Sequence, residues 1–160
     1  MRKAVGHRKL VKHYHEPGDF HELTFSCYRR QPLLTNDPWR SWLARALDEA
    51  AVQCEFQLIA FVFMPEHVHL LVLPTRIGAR AEDVSLFLGA VKRPVSRQVR
   101  TNLEATGSSL LRKLLVQDRP GSTVFRFWQE GPGYDRNMQT EAGVLNAIDY
   151  LHMNPVRRQL

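Results

Sequence analysis

Phe56-Gln57-Leu58-Ile59-Ala60-Phe61-Val62-Phe63-Met64-Pro65-Glu66-His67-Val68-His69-Leu70-Leu71-Val72-Leu73 is the stretch on which the fold turns. Two apolar runs, Phe56 to Met64 and His67 to Leu73, flank the short break Met64-Pro65-Glu66, so the segment predicts two strands folded back on each other. Inside the second run stands a histidine pair, His67 and His69, with Val68 between them. Side chains two apart on a strand share a face, so both imidazoles project together and Val68 turns the other way. Burying two imidazoles in an apolar sheet costs free energy unless partners satisfy them. Two imidazoles on a rigid element make half of a divalent-metal site, although a lone pair of this kind is more often structural.

Working outward, Phe20 to Tyr28 alternates and is rich in aromatic and β-favouring residues, which predicts a first strand. Pro32 and Thr35-Asn36-Asp37-Pro38 break the chain and supply capping groups for a helix from about Trp39 to Gln53, with Trp42, Leu43, Ala46, Leu47 and Ala50 on one face. After the polar link Thr75 to Ala81, Val84, Leu88, Val91, Val95 and Val99 mark the stripe of a second long helix, which Pro94 should kink or divide. Lys92, Arg93, Arg97 and Arg100 populate its other side. A short helix follows around Leu110 to Val116, then a turn from Asp118 to Ser122. Val124 to Gln129 alternates as another strand, and a Gly131-Pro132-Gly133 bend precedes a last helix from Thr140 to Met153, stopped at Asn154-Pro155. The β-α-β-β-α-β series predicts a ferredoxin-like, RRM-like α+β sandwich, with one antiparallel sheet carrying the His-x-His strand and helices packed on it. One domain spans 1–160, with 1–16 a basic arm containing His13-Tyr14-His15.

The composition narrows the partners. The 160 residues are 44% hydrophobic, with net charge +6 and a pI near 9.7. That suits a globular chain with a polyanionic partner, nucleic acid first. No apolar run is long enough to span a bilayer and no signal core follows Met1, which predicts a cytoplasmic protein without a membrane partner. Cys27 and Cys54, both in apolar surroundings, read as buried free thiols.

The last helix offers partners for the histidines. Val144, Leu145, Ile148 and Leu151 form an apolar stripe, while Asn146, Tyr150 and Asn154 repeat every four residues on a different face. Two imidazoles and one amide oxygen leave a divalent ion open positions for substrate oxygens; such an ion polarises a phosphodiester, and a nearby tyrosine can attack it. Taken alone, without the histidines, Tyr150 reads better as a half-buried phenol anchored by a hydrogen bond. The lysine and arginines of the second helix read equally as DNA-backbone contacts or as a solvated face.

Pro65-Glu66-His67-Val68-His69-Leu70-Leu71 joined to Asp149-Tyr150-Leu151-His152-Met153-Asn154-Pro155-Val156 resembles the HUH single-tyrosine transposases of bacterial insertion sequences, and among them the REP-associated tyrosine transposases. Phe127-Trp128-Gln129-Glu130-Gly131, Tyr134-Asp135-Arg136 and Tyr28-Arg29-Arg30-Gln31-Pro32-Leu33 carry the same likeness across essentially the whole chain. The resemblance implies that His67, His69 and Asn154 bind Mg²⁺ or Mn²⁺. It implies that Tyr150, in the nucleophile-bearing helix 140–155, attacks single-stranded DNA, giving a 5′-phosphotyrosine and a free 3′-hydroxyl that can later rejoin strands. Substrates in that group are palindromic repeats that fold into hairpins. It places the protein in the bacterial cytoplasm, acting at the nucleoid, as a monomer or homodimer. Tyr134 is the alternative nucleophile, and a catalytically inactive binder of hairpin DNA or RNA is the alternative function. The chain stops at Leu160, where members of the resembled group continue into a tail.

Overall fold

The fold is a computed structural model that describes residues 15–131 and 133–160. The first strand, β1 (Phe20–Ser26), alternates as its sequence requires, Leu23 and Phe25 facing one way and Glu22 and Thr24 the other. Two single 3₁₀ turns, Tyr28–Arg30 and Leu33–Thr35, lead to helix α1 (Asp37–Cys54). Asn36 caps α1 by accepting a hydrogen bond from the Trp39 amide, Pro38 sits in the first turn, and Glu55 closes it with left-handed backbone at φ +58°. Strands β2 (Phe56–Phe63) and β3 (His67–Pro74) form the expected hairpin. Helices α2 (Ala81–Ala105) and α3 (Leu110–Leu114), strands β4 (Leu115–Arg119), β5 (Ser122–Phe125) and β6 (Tyr134–Met138), and helix α4 (Glu141–Arg157) complete the order.

The main sheet runs β2-β3-β1-β6 with every neighbour antiparallel, the strand order of a ferredoxin-like sandwich. One face, with Leu23, Phe25, Val68, Leu70 and Val72, packs on α1 and α2 around Phe87, Val91 and Leu47. This is the main core. The other face is covered by α4, whose Ala147 and Leu151 meet Leu71 and Met138 in a much smaller apolar cluster. His67 and His69 belong to this second face. Pairing aligns Tyr134, Thr24, His69 and Val62 in one row across all four strands.

Several local expectations are corrected. The fourth strand of the sheet is Tyr134–Met138, not Val124–Gln129. Phe127 and Trp128 are consecutive and both buried, which breaks the alternation; the Trp128 indole donates to the Lys92 carbonyl at 3.0 Å, and only Cys27 bridges to Trp128. The turn expected at Asp118 to Ser122 tightens into the β4–β5 hairpin, a separate two-stranded ribbon. β6 is polar because it is an edge strand whose side chains answer buried polar groups: Arg136 meets Glu22, Asp135 meets His21 and Asn137 meets Asp19. Pro94 does not divide α2, because Phe87 and Val91 before it and Val95 and Val99 after it continue one buried stripe on the core. Nor does Pro155 stop α4, which continues to Arg157 with Leu151 and Asn154 buried on the sheet. Leu145 is exposed rather than part of the stripe, and Cys54, at the end of α1, is half-buried while Cys27 is fully buried. Of the basic arm, residues 1–14, including His13 and Tyr14, lie outside the described residues.

The bend into β6 depends on Gly133. Its φ of +80° is left-handed, and a Cβ there would stand 2.1 Å from the Thr24 carbonyl oxygen, backbone that cannot move without unpairing β1. Gly131, at φ +108°, meets nothing within 4 Å. Gly133→Ala should therefore destabilise the protein by on the order of 2–4 kcal/mol, and Gly131→Ala by only about 1 kcal/mol. Urea denaturation of both variants checks this; equal losses would mean that the close approach to Thr24 carries no weight.

Candidate active site

The two imidazoles of β3 meet at their Nε2 atoms, 2.9 Å apart, with ring centroids 4.7 Å apart and planes nearly perpendicular. Each ring is held from behind. Thr24 Oγ1, the next residue along the row on β1, hydrogen-bonds His69 Nδ1 at 2.9 Å. Glu66 Oε1 lies 3.2 Å from His67 Nδ1, at ion-pair distance but without hydrogen-bond geometry. Both Nε2 atoms are thus left to point at one place.

Helix α4 closes that place from above. Asn154 is buried, and its amide nitrogen lies 3.2 Å from His69 Nε2; a half-turn of the amide presents Oδ1 instead. Tyr150, one turn earlier, sets its ring edge-on to His69 with centroids 5.7 Å apart, and the Arg157 guanidinium lies 5.7 Å from the centre of the same phenol ring. Tyr150 is 41% exposed, so its ring touches the histidine while the phenol remains open to a substrate. With Glu22, Thr24, His69, Tyr134, Arg136 and Asn146 it lines a cavity of about 450 Å³.

The electrostatics favour neutral imidazoles. Burial, and then the neighbouring His67, pushes His69 down to about 4 from an ordinary 6.5. Burial also lowers His67, opposed by the Glu66 charge and assisted by that of Arg30. Burial would raise the Glu66 carboxyl, but the Arg158 hydrogen bond and the charges of His67 and Arg158 outweigh it and hold it low. Neutral imidazole is the form that ligates metal. The donor set fits a small divalent cation: neighbouring ligands of an octahedral ion with 2.0–2.1 Å bonds stand about 2.9 Å apart, the separation of the two Nε2 atoms. Among the described residues no group of three or more His, Cys, Asp and Glu side chains forms a metal cluster; the polar side chain of α4 that reaches the pair is the Asn154 amide.

The structure gathers His67, His69, Asn154 and Tyr150 at one point and puts Tyr134 on the rim of the same cavity, two strands from His69 and 53% exposed. It does not bring the basic residues of α2 there. Arg93, Arg97 and Arg100 lie beyond the opposite sheet face, beside Thr123 and Phe125 of the β4–β5 hairpin. Lys92 is set apart from them, its ammonium 4.7 Å from the Phe25 ring and burial pushing it down to about 8. Sequence reasoning passed over Thr24, Glu22, Glu66, Arg136 and Arg158. Only Glu66, adjacent to His67, carried a signal that spacing could have caught; the others reach the site through pairing and helix packing.

Residues 19–120 match the family model of IS200-like transposases. The chain belongs to this family. That makes it a transposase in coarse terms, a DNA-processing protein; the matched segment contains His67 and His69 and ends before Tyr134, Tyr150 and Asn154. Among solved structures, the transposase is similar to a REP-associated tyrosine transposase bound to a REP hairpin, with 19% identity and a TM-score of 0.63 over 94% of this chain and 74% of that one. A transposase-like protein from Deinococcus radiodurans R1 shares 19% identity over 96% of this chain and 97% of its own, with a TM-score of 0.47. The likeness to the first shows a shared fold. No curated protein sequence matches the transposase. No helix of its described residues is long and apolar enough to cross a membrane.

The low value for His69 sets a pH dependence. The unfolded chain takes up a proton near 6.5 that the native ring refuses until about 4, so stability falls as pH drops through that window. The loss attributable to His69 is on the order of 3 kcal/mol. Thermal denaturation of metal-free protein should show the melting temperature falling from pH 6.5 to 4, with a shallower slope in His69→Gln. Parallel slopes would contradict the burial of a neutral imidazole.

Proposed function

We propose that this transposase cleaves and rejoins single-stranded DNA through Tyr150, on hairpin-forming palindromic repeats of the REP type. The observation that carries the reading is the placement of the Tyr150 phenol and the Asn154 amide, one turn apart on α4, against the His67–His69 pair at the mouth of the cavity. His67, His69 and Asn154 would hold Mg²⁺ or Mn²⁺. When bound, the cation polarises the scissile phosphate and offsets charge that develops on it.

The chain's own residues do the rest. Tyr150 Oη forms the new bond to phosphorus as the bond to the 3′ oxygen breaks, leaving a 5′-phosphotyrosine and a free 3′-hydroxyl. Phosphodiester is exchanged for phosphodiester, so the later attack of a 3′-hydroxyl on the phosphotyrosine rejoins strands without an external energy source. A phenol is a weak nucleophile at its ordinary pKa of about 10, so most of the help falls on the electrophile and on orientation. The His69 ring edge and the Arg157 guanidinium hold the Tyr150 ring. Tyr134 and Arg136, on the far wall, are placed to stack on an unpaired base and to contact a phosphate. The structural relative bound to a REP hairpin supports a hairpin substrate, and family membership supports DNA processing.

Purified protein incubated with single-stranded hairpin oligonucleotides and Mn²⁺ should give a covalent protein–DNA band on a denaturing gel. The band should vanish with a chelator and in Tyr150→Phe, and survive in Tyr134→Phe. A band that follows Tyr134 keeps the chemistry and replaces the nucleophile. Binding without any adduct replaces the enzyme with a silent hairpin binder.

A further inference from the structure

The Met64-Pro65-Glu66 turn does more than join two strands. Its backbone is pinned to the end of β1 by Cys27 N–H donating to the Glu66 carbonyl at 2.8 Å, and to the second 3₁₀ turn by Leu34 N–H donating to the Pro65 carbonyl at 2.9 Å. So fixed, the Glu66 side chain is buried, and one oxygen, Oε1, receives three groups from three parts of the chain. Arg30 Nη2 reaches it at 3.2 Å, Arg158 Nη1 donates to it, and His67 Nδ1 stands 3.2 Å away.

Each approach requires a local arrangement that the chain would not otherwise favour. Arg30 and its neighbour Arg29 both have left-handed backbone, φ +53° and +51°, a conformation that costs a non-glycine residue of order 1 kcal/mol. Arg158 is the C-cap of α4, one turn beyond Asn154 and next to Arg157 on the Tyr150 ring; it reaches Glu66 only because α4 runs on through Pro155. A carboxylate taken out of water needs such partners. Two guanidiniums already neutralise it, so its position beside His67 is not explained by charge balance alone.

Resting on the reading of the site given above, we propose that Glu66 is a positioning residue: it orients His67 through Nδ1 and, through Arg158, locks the end of α4 in the register that sets Tyr150 and Asn154 against the histidine pair. Glu66 Oε1 stands 3.2 Å from Nδ1 without hydrogen-bond geometry, so its hold on the ring is the charge beside Nδ1, which favours the tautomer protonated there with Nε2 free to ligate. The Arg158 link is separable from this, because it acts on the helix rather than on the ring. Asn154 and Arg158 form two polar ties from one end of α4, to His69 on the strand and to Glu66 in the turn before it, beside an apolar cluster whose buried members are Leu71, Met138, Ala147 and Leu151.

The two roles are distinguished by three readouts on the full chain: Mn²⁺ affinity by calorimetry, the ring-current shift that Tyr150 imposes on the His69 ring signals (assigned with Tyr150→Leu), and the rate of adduct formation. Arg158→Gln should weaken Mn²⁺ affinity less than Glu66→Gln does, because it loosens only Asn154, abolish the ring-current shift, and slow the adduct on the order of 10–100-fold; Arg158→Lys should restore much of all three. Glu66→Gln should lose the shift and also weaken Mn²⁺ binding on the order of 10–100-fold. Retention of the shift and the rate in Arg158→Gln, or unchanged Mn²⁺ affinity in Glu66→Gln, overturns the assignment. Arg158 is 45% exposed at the helix end, so its variants decide the matter should Glu66→Gln fail to fold. If wild-type protein forms no adduct, the reaction assignment falls while Mn²⁺ affinity and the His69 shift still judge the positioning role.

Discussion

A one-residue slip of β3 against its neighbours would turn His67 and His69 into the main apolar core and bring Val68 out beneath α4. Everything at the site depends on the register that forbids this. From His21 opposite Val72 to Ser26 opposite His67, β1 and β3 pair without a bulge, and β6 continues the same row through Thr24 to Tyr134. The hydrophobic pattern enforces it: Val68, Leu70 and Val72 are completely buried on one face, and exchanging them for two imidazoles would leave polar groups without partners. Thr24 completes the constraint, since its hydroxyl meets His69 Nδ1 only in this alignment. The Gly133 approach to the Thr24 carbonyl then fixes where β6 can lie, so the far wall of the cavity inherits its position from the same residue.

The helix that carries Tyr150 is held differently from α1 and α2. Those two share one large core with the sheet, and their position follows from burial alone. α4 rests on a small cluster of Leu71, Met138, Ala147 and Leu151, and adds polar contacts from Asn154 to His69 and from Arg158 to Glu66. Apolar contact is non-directional and tolerates sliding, whereas a hydrogen bond to a buried acceptor does not. The polar ties therefore set the rotation and register of α4, and the apolar ones hold it to the sheet.

What the sequence disclosed follows the same division. Periodicity revealed the His-x-His face, the stripe of α2 and the shared face of Asn146, Tyr150 and Asn154, because each is arithmetic on one element. The strand Tyr134–Met138 escaped, since Asp135, Arg136 and Asn137 are poor strand formers taken one at a time; they are strand residues because His21, Glu22 and Asp19 across the pair need them. Val124 to Gln129 alternated convincingly, yet only Val124 and Phe125 are strand, in the separate β4–β5 ribbon, while Phe127 and Trp128 both turn inward. Pro94 and Pro155 suggested helix ends that tertiary packing overrides. Thr24 and Arg158 carry no motif, and Glu66 shows only its place beside His67; their partners appear only once distant segments meet.

The charges around the site are largely spent within it. Arg136 faces Glu22, Arg30 and Arg158 share Glu66, and Arg157 lies on the Tyr150 ring, while the imidazoles are driven toward neutrality by burial. A phosphodiester entering the cavity therefore meets oriented dipoles and hydrogen-bond donors more than net positive charge, the arrangement in which a bound cation contributes most to charge stabilisation. Among the described residues, further basic charge lies elsewhere, Arg93 and Arg97 on α2 beyond the other sheet face and Arg119 on the hairpin, where it pairs with Asp118. On the proposed reading, attraction of DNA and chemistry on DNA are thus assigned to different faces of one sheet. A substrate engaging both must pass around a sheet edge, and a folded hairpin with an unpaired flank, duplex on one side and single strand in the cavity, has the shape to do so.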